Sequence, residues 1–132
     1  MGFPYELDSV SWLSLDMNLT LLVIRSASPK QLAEFYEQLG MVFEHHRHGN
    51  GPLHFSAQIG STLLEIYPLA KGQEQADKHL RLGFAIDLFD ARIDKLQQKG
   101  ITFHQLPIST EWGIMAIIED SEGRKLELYN NT

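Results

Sequence analysis

Two short stretches, Leu64-Glu65-Ile66-Tyr67 and Leu126-Glu127-Leu128-Tyr129, match in residue type at every position and stand 62 residues apart. A second pair, Gly40-Met41-Val42-Phe43 and Gly100-Ile101-Thr102-Phe103, comes in the same order and stands 60 residues apart. Two nearly equal offsets imply an internal duplication with a small insertion, and a repeat of this kind sets the frame for the whole fold.

Working outward from the first anchor, Leu19–Ile24 is a short apolar run flanked by turn-formers, which reads as a buried strand. Ser28-Pro29 marks a helix start, with Ser28 as N-cap and Pro29 at the first helical position. Leu32, Phe35, Tyr36 and Leu39 recur at helical spacing, and Gly40 closes the helix. Strands are expected over Met41–His48, Leu53–Ile59 and Thr62–Leu69, separated by turns at Gly49-Asn50-Gly51-Pro52 and Gly60-Ser61. Lys71–Lys78 is polar and reads as a linker.

The second half repeats the order. A strand over Leu82–Leu88 precedes a helix over Ala91–Lys99, with Asp90 as N-cap, Ile93 and Leu96 buried, and Gly100 at its end. Strands at Ile101–Leu106, Trp112–Ile118 and Lys125–Tyr129 follow, the last two joined by a turn at Asp120–Gly123. The class is α+β, two βαβββ repeats: residues 1–17 are an N-terminal arm and 18–132 one domain, with halves at about 18–70 and 80–130.

The chain of 132 residues has ordinary globular composition, 43% hydrophobic and 21% charged. It has no cysteine, which excludes disulfides, thiolate metal sites and cysteine nucleophiles. A formal net charge of −6 without a Lys/Arg cluster speaks against nucleic acid as a partner. No apolar run approaches the roughly 20 residues of a membrane span, and the opening Met1-Gly2-Phe3-Pro4-Tyr5-Glu6 reads as neither a signal peptide nor a myristoylation signal. A cytoplasmic protein with no membrane partner is the expectation.

Alternation along the matching strands puts Glu65 and Tyr67 on the face opposite Leu64 and Ile66, and Glu127 and Tyr129 on the face opposite Leu126 and Leu128. Under an approximate two-fold between the halves, the two glutamates can face a common groove. A carboxylate among apolar strand residues requires a metal, a basic side chain or water as partner.

The sequence resembles the vicinal oxygen chelate superfamily of glyoxalases, bleomycin-resistance proteins and extradiol dioxygenases. The stretches that carry the resemblance are Leu32-Ala33-Glu34-Phe35-Tyr36-Glu37-Gln38-Leu39-Gly40-Met41, Leu63-Leu64-Glu65-Ile66-Tyr67, Phe84-Ala85-Ile86-Asp87, and Glu119-Asp120-Ser121-Glu122-Gly123-Arg124-Lys125-Leu126-Glu127-Leu128, with Trp112-Gly113 between the last two. The resemblance implies a glyoxalase-like open barrel around a central groove, and a homodimer. Family metal sites take one ligand from each of four positions, which fall here on Leu21, Glu65, Arg81 and Glu127. Leucine has no donor and arginine stays protonated, so only two ligands remain.

The resulting expectation is a metal-independent small-molecule binder without cofactor. Its groove would be lined by Leu21, Glu65, Tyr67, Arg81, Trp112, Glu127 and Tyr129, with Arg81 as counter-charge to a glutamate. The alternative is a divalent-metal lyase, isomerase or dioxygenase. It would hold Ni, Zn, Mn or Fe on Glu65, Glu127 and, after a two-residue register slip, His79. His46 and His48 share a strand face while His45 points away, so these three cannot hold one ion; they read as solvated edge residues. His54 is a possible lining residue of the groove, and His104 a surface strand residue.

Overall fold

The computed structural model describes residues 17–47 and 49–131. The proposed arm at 1–17 therefore lies outside the described residues except for Met17, which is exposed, and His48 lies outside them too.

The first half comprises β1 (Leu21–Ser26), α1 (Pro29–Glu37), β2 (Glu44–His46), β3 (His54–Ile59) and β4 (Thr62–Pro68). The second comprises β5 (Leu82–Ile86), α2 (Phe89–Gln98), β6 (Phe103–Thr110), β7 (Gly113–Glu119) and β8 (Lys125–Asn130). Each half forms a mixed four-stranded sheet, in the orders β1-β4-β3-β2 and β5-β8-β7-β6, and the sheets do not close into a barrel. In both, the first strand lies at the edge, parallel to the last strand and separated from it in sequence by the helix and a hairpin.

The duplication survives in the strand register. Leu22 is opposite Leu64 in the first sheet, and Leu82 is opposite Leu126 in the second. These are the same 60- and 62-residue offsets that the sequence shows. One apolar core serves both halves, combining Ile24, Leu32, Tyr36, Leu64 and Ile66 with Ile86, Ile93, Leu96, Ile118, Leu126 and Leu128. The Tyr36 ring meets Phe84 of the other half in a T-shaped contact, ring centres 6.0 Å apart.

Several boundaries differ from expectation, each for a local reason. Only Glu44–His46 pairs as β2, because Met41 and Phe43 instead pack against the core ahead of it. Strand β6 runs on through Pro107 to Thr110; it is an edge strand with register shifts, where a missing N–H is tolerated. Strand β5 stops at Ile86, and Leu88 adopts a left-handed conformation (φ 54°) that starts α2 at Phe89. Asp90 therefore falls in the first turn of that helix, where its charge suits the helix dipole, and not at the cap. Ser28 does occupy the N-cap of α1, but its hydroxyl makes no capping bond. The cap comes instead from the other half: Glu122 Oε1 accepts the N–H groups of Ala27 at 3.0 Å and Ser28 at 3.4 Å, together with the Ser26 hydroxyl.

Among the described residues, three further side-chain bonds cross the halves. Arg92 Nη1 donates to Gln38 O at 3.1 Å, and Arg124 Nη2 to Arg25 O at 2.6 Å. Arg124 is buried, and its Nη1 lies 3.5 Å from Asp120 Oδ2, which also accepts the Tyr36 hydroxyl at 2.8 Å. Burial and the neighbouring Asp120 push the Tyr36 phenol far above its ordinary range.

Candidate functional site

Since both sheets share one core, the faces that carry the glutamates are turned away from it. In the first sheet, pairing across strands lines these faces up in rows. Val23 stands opposite Glu65, Glu65 opposite Ser56, and Ser56 opposite Glu44. The next row starts with Arg25 opposite Tyr67, and His54 is opposite His46. Its side chains lie against one another: the Arg25 guanidinium is 5.0 Å from the Tyr67 ring centre, Tyr67 stacks on His54 at 4.4 Å and 5°, and His54 meets His46 at a tilt of 36° with ring centres 5.7 Å apart.

Glu65 sits where the rows meet. Its Oε2 accepts the Ser56 hydroxyl at 3.2 Å and lies 3.5 Å from His54 Nε2. His54 is 2% exposed. An imidazole buried between a carboxylate and an aromatic face is held in one orientation, which makes Glu65 a fixed acceptor. The cleft over this carboxylate, about 510 Å³, is lined by Val42, Glu44, His46, Gln58 and Leu63 besides the residues just named.

The second sheet carries the equivalent carboxylate in different company. Glu127 Oε2 pairs with Arg81 Nε at 2.9 Å, and its Oε1 accepts the Tyr129 hydroxyl at 2.8 Å. Burial first, and then the bond to Glu127, pushes the Tyr129 phenol up to about 12. A smaller cleft of about 160 Å³ runs over Arg81, Gly83, Ala85, Glu127 and Tyr129.

Of the residues expected to line one groove, the structure brings together Arg81, Glu127 and Tyr129 on one sheet, and Glu65 and Tyr67 on the other. Leu21 is on the Glu65 face at the edge strand, opposite Leu63. Trp112 stands in the β6–β7 turn, its N–H bonded to Thr110 Oγ1, and lines neither cleft. Each glutamate has a cleft built from its own half. A larger groove of about 640 Å³ between α1 and α2 contains none of the expected residues.

His46 and Ser56 were missing from the expected set, and His54 was only a possible member of it. Their placement was within reach of the sequence. A two-residue turn at Gly60-Ser61 sets Ile59 opposite Thr62, and counting five residues back along each arm sets His54 opposite Tyr67. His104 is the surface residue expected, bonded to Glu119 at 3.2 Å.

The residues present do not fit the family's metal set. Leu21 offers no donor, and the Arg81 guanidinium is committed to Glu127. His79 is exposed and is not among the residues of the Glu127 cleft. Among the described residues, no three His, Asp or Glu side chains converge on a point where an ion could sit.

The fold has many solved relatives. The oxidase ChaP-H2 superposes with a TM-score of 0.71 at 15% identity, over 89% of this chain and 96% of its own. TnmS3, an antibiotic binding protein from Streptomyces sp. CB03234, gives 0.70 at 20% identity, over 89% and 98%. A glyoxalase family protein from Enterococcus faecalis gives 0.60 at 22% identity, over 87% and 98%. No curated protein matches the sequence. No helix among the described residues is long and apolar enough to cross a membrane. The family model for this fold matches residues 18–128, nearly the whole described chain, and the protein belongs to the Glyoxalase/Bleomycin resistance protein/Dioxygenase superfamily.

Proposed function

We propose that this protein is a cytoplasmic, metal-independent small-molecule binder, with its ligand seated on the outward sheet faces over Glu65 and Glu127. The observation that carries the reading is the Arg81–Glu127 pair at 2.9 Å. A guanidinium in that place balances the carboxylate's charge, the role a bound cation would otherwise fill. Clefts that combine apolar walls with a few convergent polar groups suit a small organic ligand. The antibiotic-binding relative supports the same reading at the level of the fold.

A homodimer is part of the proposal. Each glutamate's face is closed on one side only by its own half, and the first strand of each sheet leaves one edge unpaired. A second copy set against these faces would deepen both clefts.

The first test is elemental analysis of purified, tag-free protein offered Ni, Zn, Mn or Fe and then desalted, followed by a thermal-shift screen of small molecules. The expected result is no stoichiometric metal and at least one stabilising compound. Stoichiometric metal that disappears in Glu65→Ala and Glu127→Ala would overturn the reading in favour of a metal-dependent lyase, isomerase or dioxygenase. That second reading draws on His54, which stands beside Glu65 as an additional nitrogen donor.

A further inference from the structure

The duplication places one carboxylate at the same point in each half, but among the described residues only Glu127 has a guanidinium or ammonium group beside it. Arg81 immediately precedes Leu82, which is opposite Leu126; the residue in that position of the first half is Leu21, preceding Leu22 opposite Leu64. Leu21 and Arg81 are thus structural equivalents, each one strand over and two residues along from its glutamate. In the second half the guanidinium reaches Glu127. In the first, the equivalent side chain is a leucine, 50% exposed, and among the described residues no lysine or arginine lies within ion-pair distance of Glu65.

The remaining surroundings of Glu65 prepare it to accept. Its side chain is 16% exposed, well withdrawn from solvent, with the Ser56 hydroxyl and His54 against the carboxylate. Glu44 adds a second carboxylate to the same cleft, and Leu63 and Val42 add apolar surface at the Leu21 end. A largely buried carboxylate gains most from a planar cation that can donate two hydrogen bonds at once.

We infer that the Glu65 cleft is a binding site for an organic cation, an amidinium or guanidinium carried on an apolar body. The ligand's cation occupies the place that the Arg81 side chain fills in the other half, and its apolar body lies along Leu21 and Leu63. This rests on the small-molecule reading and names the ligand class for one of its two clefts. The Arg81 side chain, an apolar stem ending in a guanidinium, is the template for the missing group.

The test compares benzamidine with benzamide, a cation and its neutral near-isostere, by isothermal titration calorimetry and ligand-observed NMR on the full chain. Benzamidine is expected to bind at least tenfold more tightly than benzamide. That preference disappears in Glu65→Gln and survives in Glu37→Gln, which removes the same charge from the exposed surface of α1. Leu21→Arg is the decisive variant. It puts an in-chain guanidinium beside Glu65 at an exposed edge position that folding tolerates, and abolishes benzamidine binding with Glu65 intact. Equal binding of the two compounds, or benzamidine binding that persists in a folded Leu21→Arg protein, overturns the inference and leaves the small-molecule reading standing. Absence of binding by both compounds also overturns it, and failure of the broad thermal-shift screen as well would remove the small-molecule reading.

Discussion

Glu122, in the turn between β7 and β8, accepts the backbone N–H of the N-cap residue Ser28 at 3.4 Å and of Ala27 before it at 3.0 Å, and so caps a helix that belongs to the other half of the molecule. The expected local cap, Ser28, stands at the right position without making the bond. A carboxylate at a helix N-terminus satisfies otherwise orphaned donors and meets the positive end of the helix dipole. The cap therefore also locks the two halves together. Glu122→Ala should lower stability by about 1 kcal/mol, measured by urea denaturation, whereas Ser28→Ala should have a smaller effect. A larger loss in Ser28→Ala would show that the capping role had been assigned to the wrong residue.

Asp120 and Arg124 form the buried charged pair beneath that turn. Removing one partner strands the other charge in the core, and Asp120→Ala should cost about 3–5 kcal/mol. Tyr36→Phe removes only one hydrogen bond to Asp120 and should cost about 1–3 kcal/mol. Chemical denaturation of both variants would check the order. Equal losses would mean that the pair contributes no more than the phenol.

Alkaline pH provides a third test. Folding raises the Tyr129 phenol from 10.0 to about 12, so the folded chain keeps a proton that the unfolded chain has released. The stability tied to this proton is fully present below pH 10 and is lost as pH rises toward 12. Tyr129→Phe should flatten that part of the decline, although Tyr36, shifted in the same direction, leaves a residual slope. In Arg81→Leu, the cation that draws the Tyr129 pKa down is gone. Its phenol should then titrate at a still higher pH, as followed by NMR of the tyrosine ring carbons. A Tyr129 titration indifferent to Arg81 would separate the two groups.

Gly40 ends α1 with φ at +111°, and a Cβ there would meet the Arg92 guanidinium at 3.2 Å. Gly40→Ala should therefore destabilise, by more than the roughly 0.4–1 kcal/mol by which a Gly→Ala change stabilises at a compatible site. Arg92→Ala in the same chain should recover only the part of the loss due to crowding, since the backbone strain remains. Full recovery in thermal melts would assign the whole effect to Arg92.

Much of this arrangement could be read from the chain because it depends on short-range patterning. The pair Leu64-Glu65-Ile66-Tyr67 and Leu126-Glu127-Leu128-Tyr129 fixes which side chains enter the core through simple alternation, and the strand pairing preserves the offsets between halves. Arg81 as a counter-charge to one of the glutamates came instead from the family resemblance, which marks its position, and the structure pairs it with Glu127. What escaped depends on contacts remote in sequence. The cap from Glu122 to α1 spans 95 residues, and nothing near Ser28 signals it. Leu88 takes a backbone conformation that leucine rarely adopts, so no local rule would end β5 there. The separation of Glu65 and Glu127 into two clefts follows from the shared core, which is a property of packing and not of strand pattern.

The linker between the halves, 69–81, contains neither helix nor strand, and every bond described between them is non-covalent. The chain is thus two complementary pieces that happen to be tethered. Fragments cut within Lys71–Lys78 and co-expressed should reassemble, and a shortened linker should drive neighbouring chains to exchange halves. In such a swapped pair the contacts of Glu122 with Ser26 and Ala27, of Tyr36 with Asp120 and of Arg124 with Arg25 would re-form between molecules, so the bonds that now close one chain upon itself would serve as the adhesive of an oligomer.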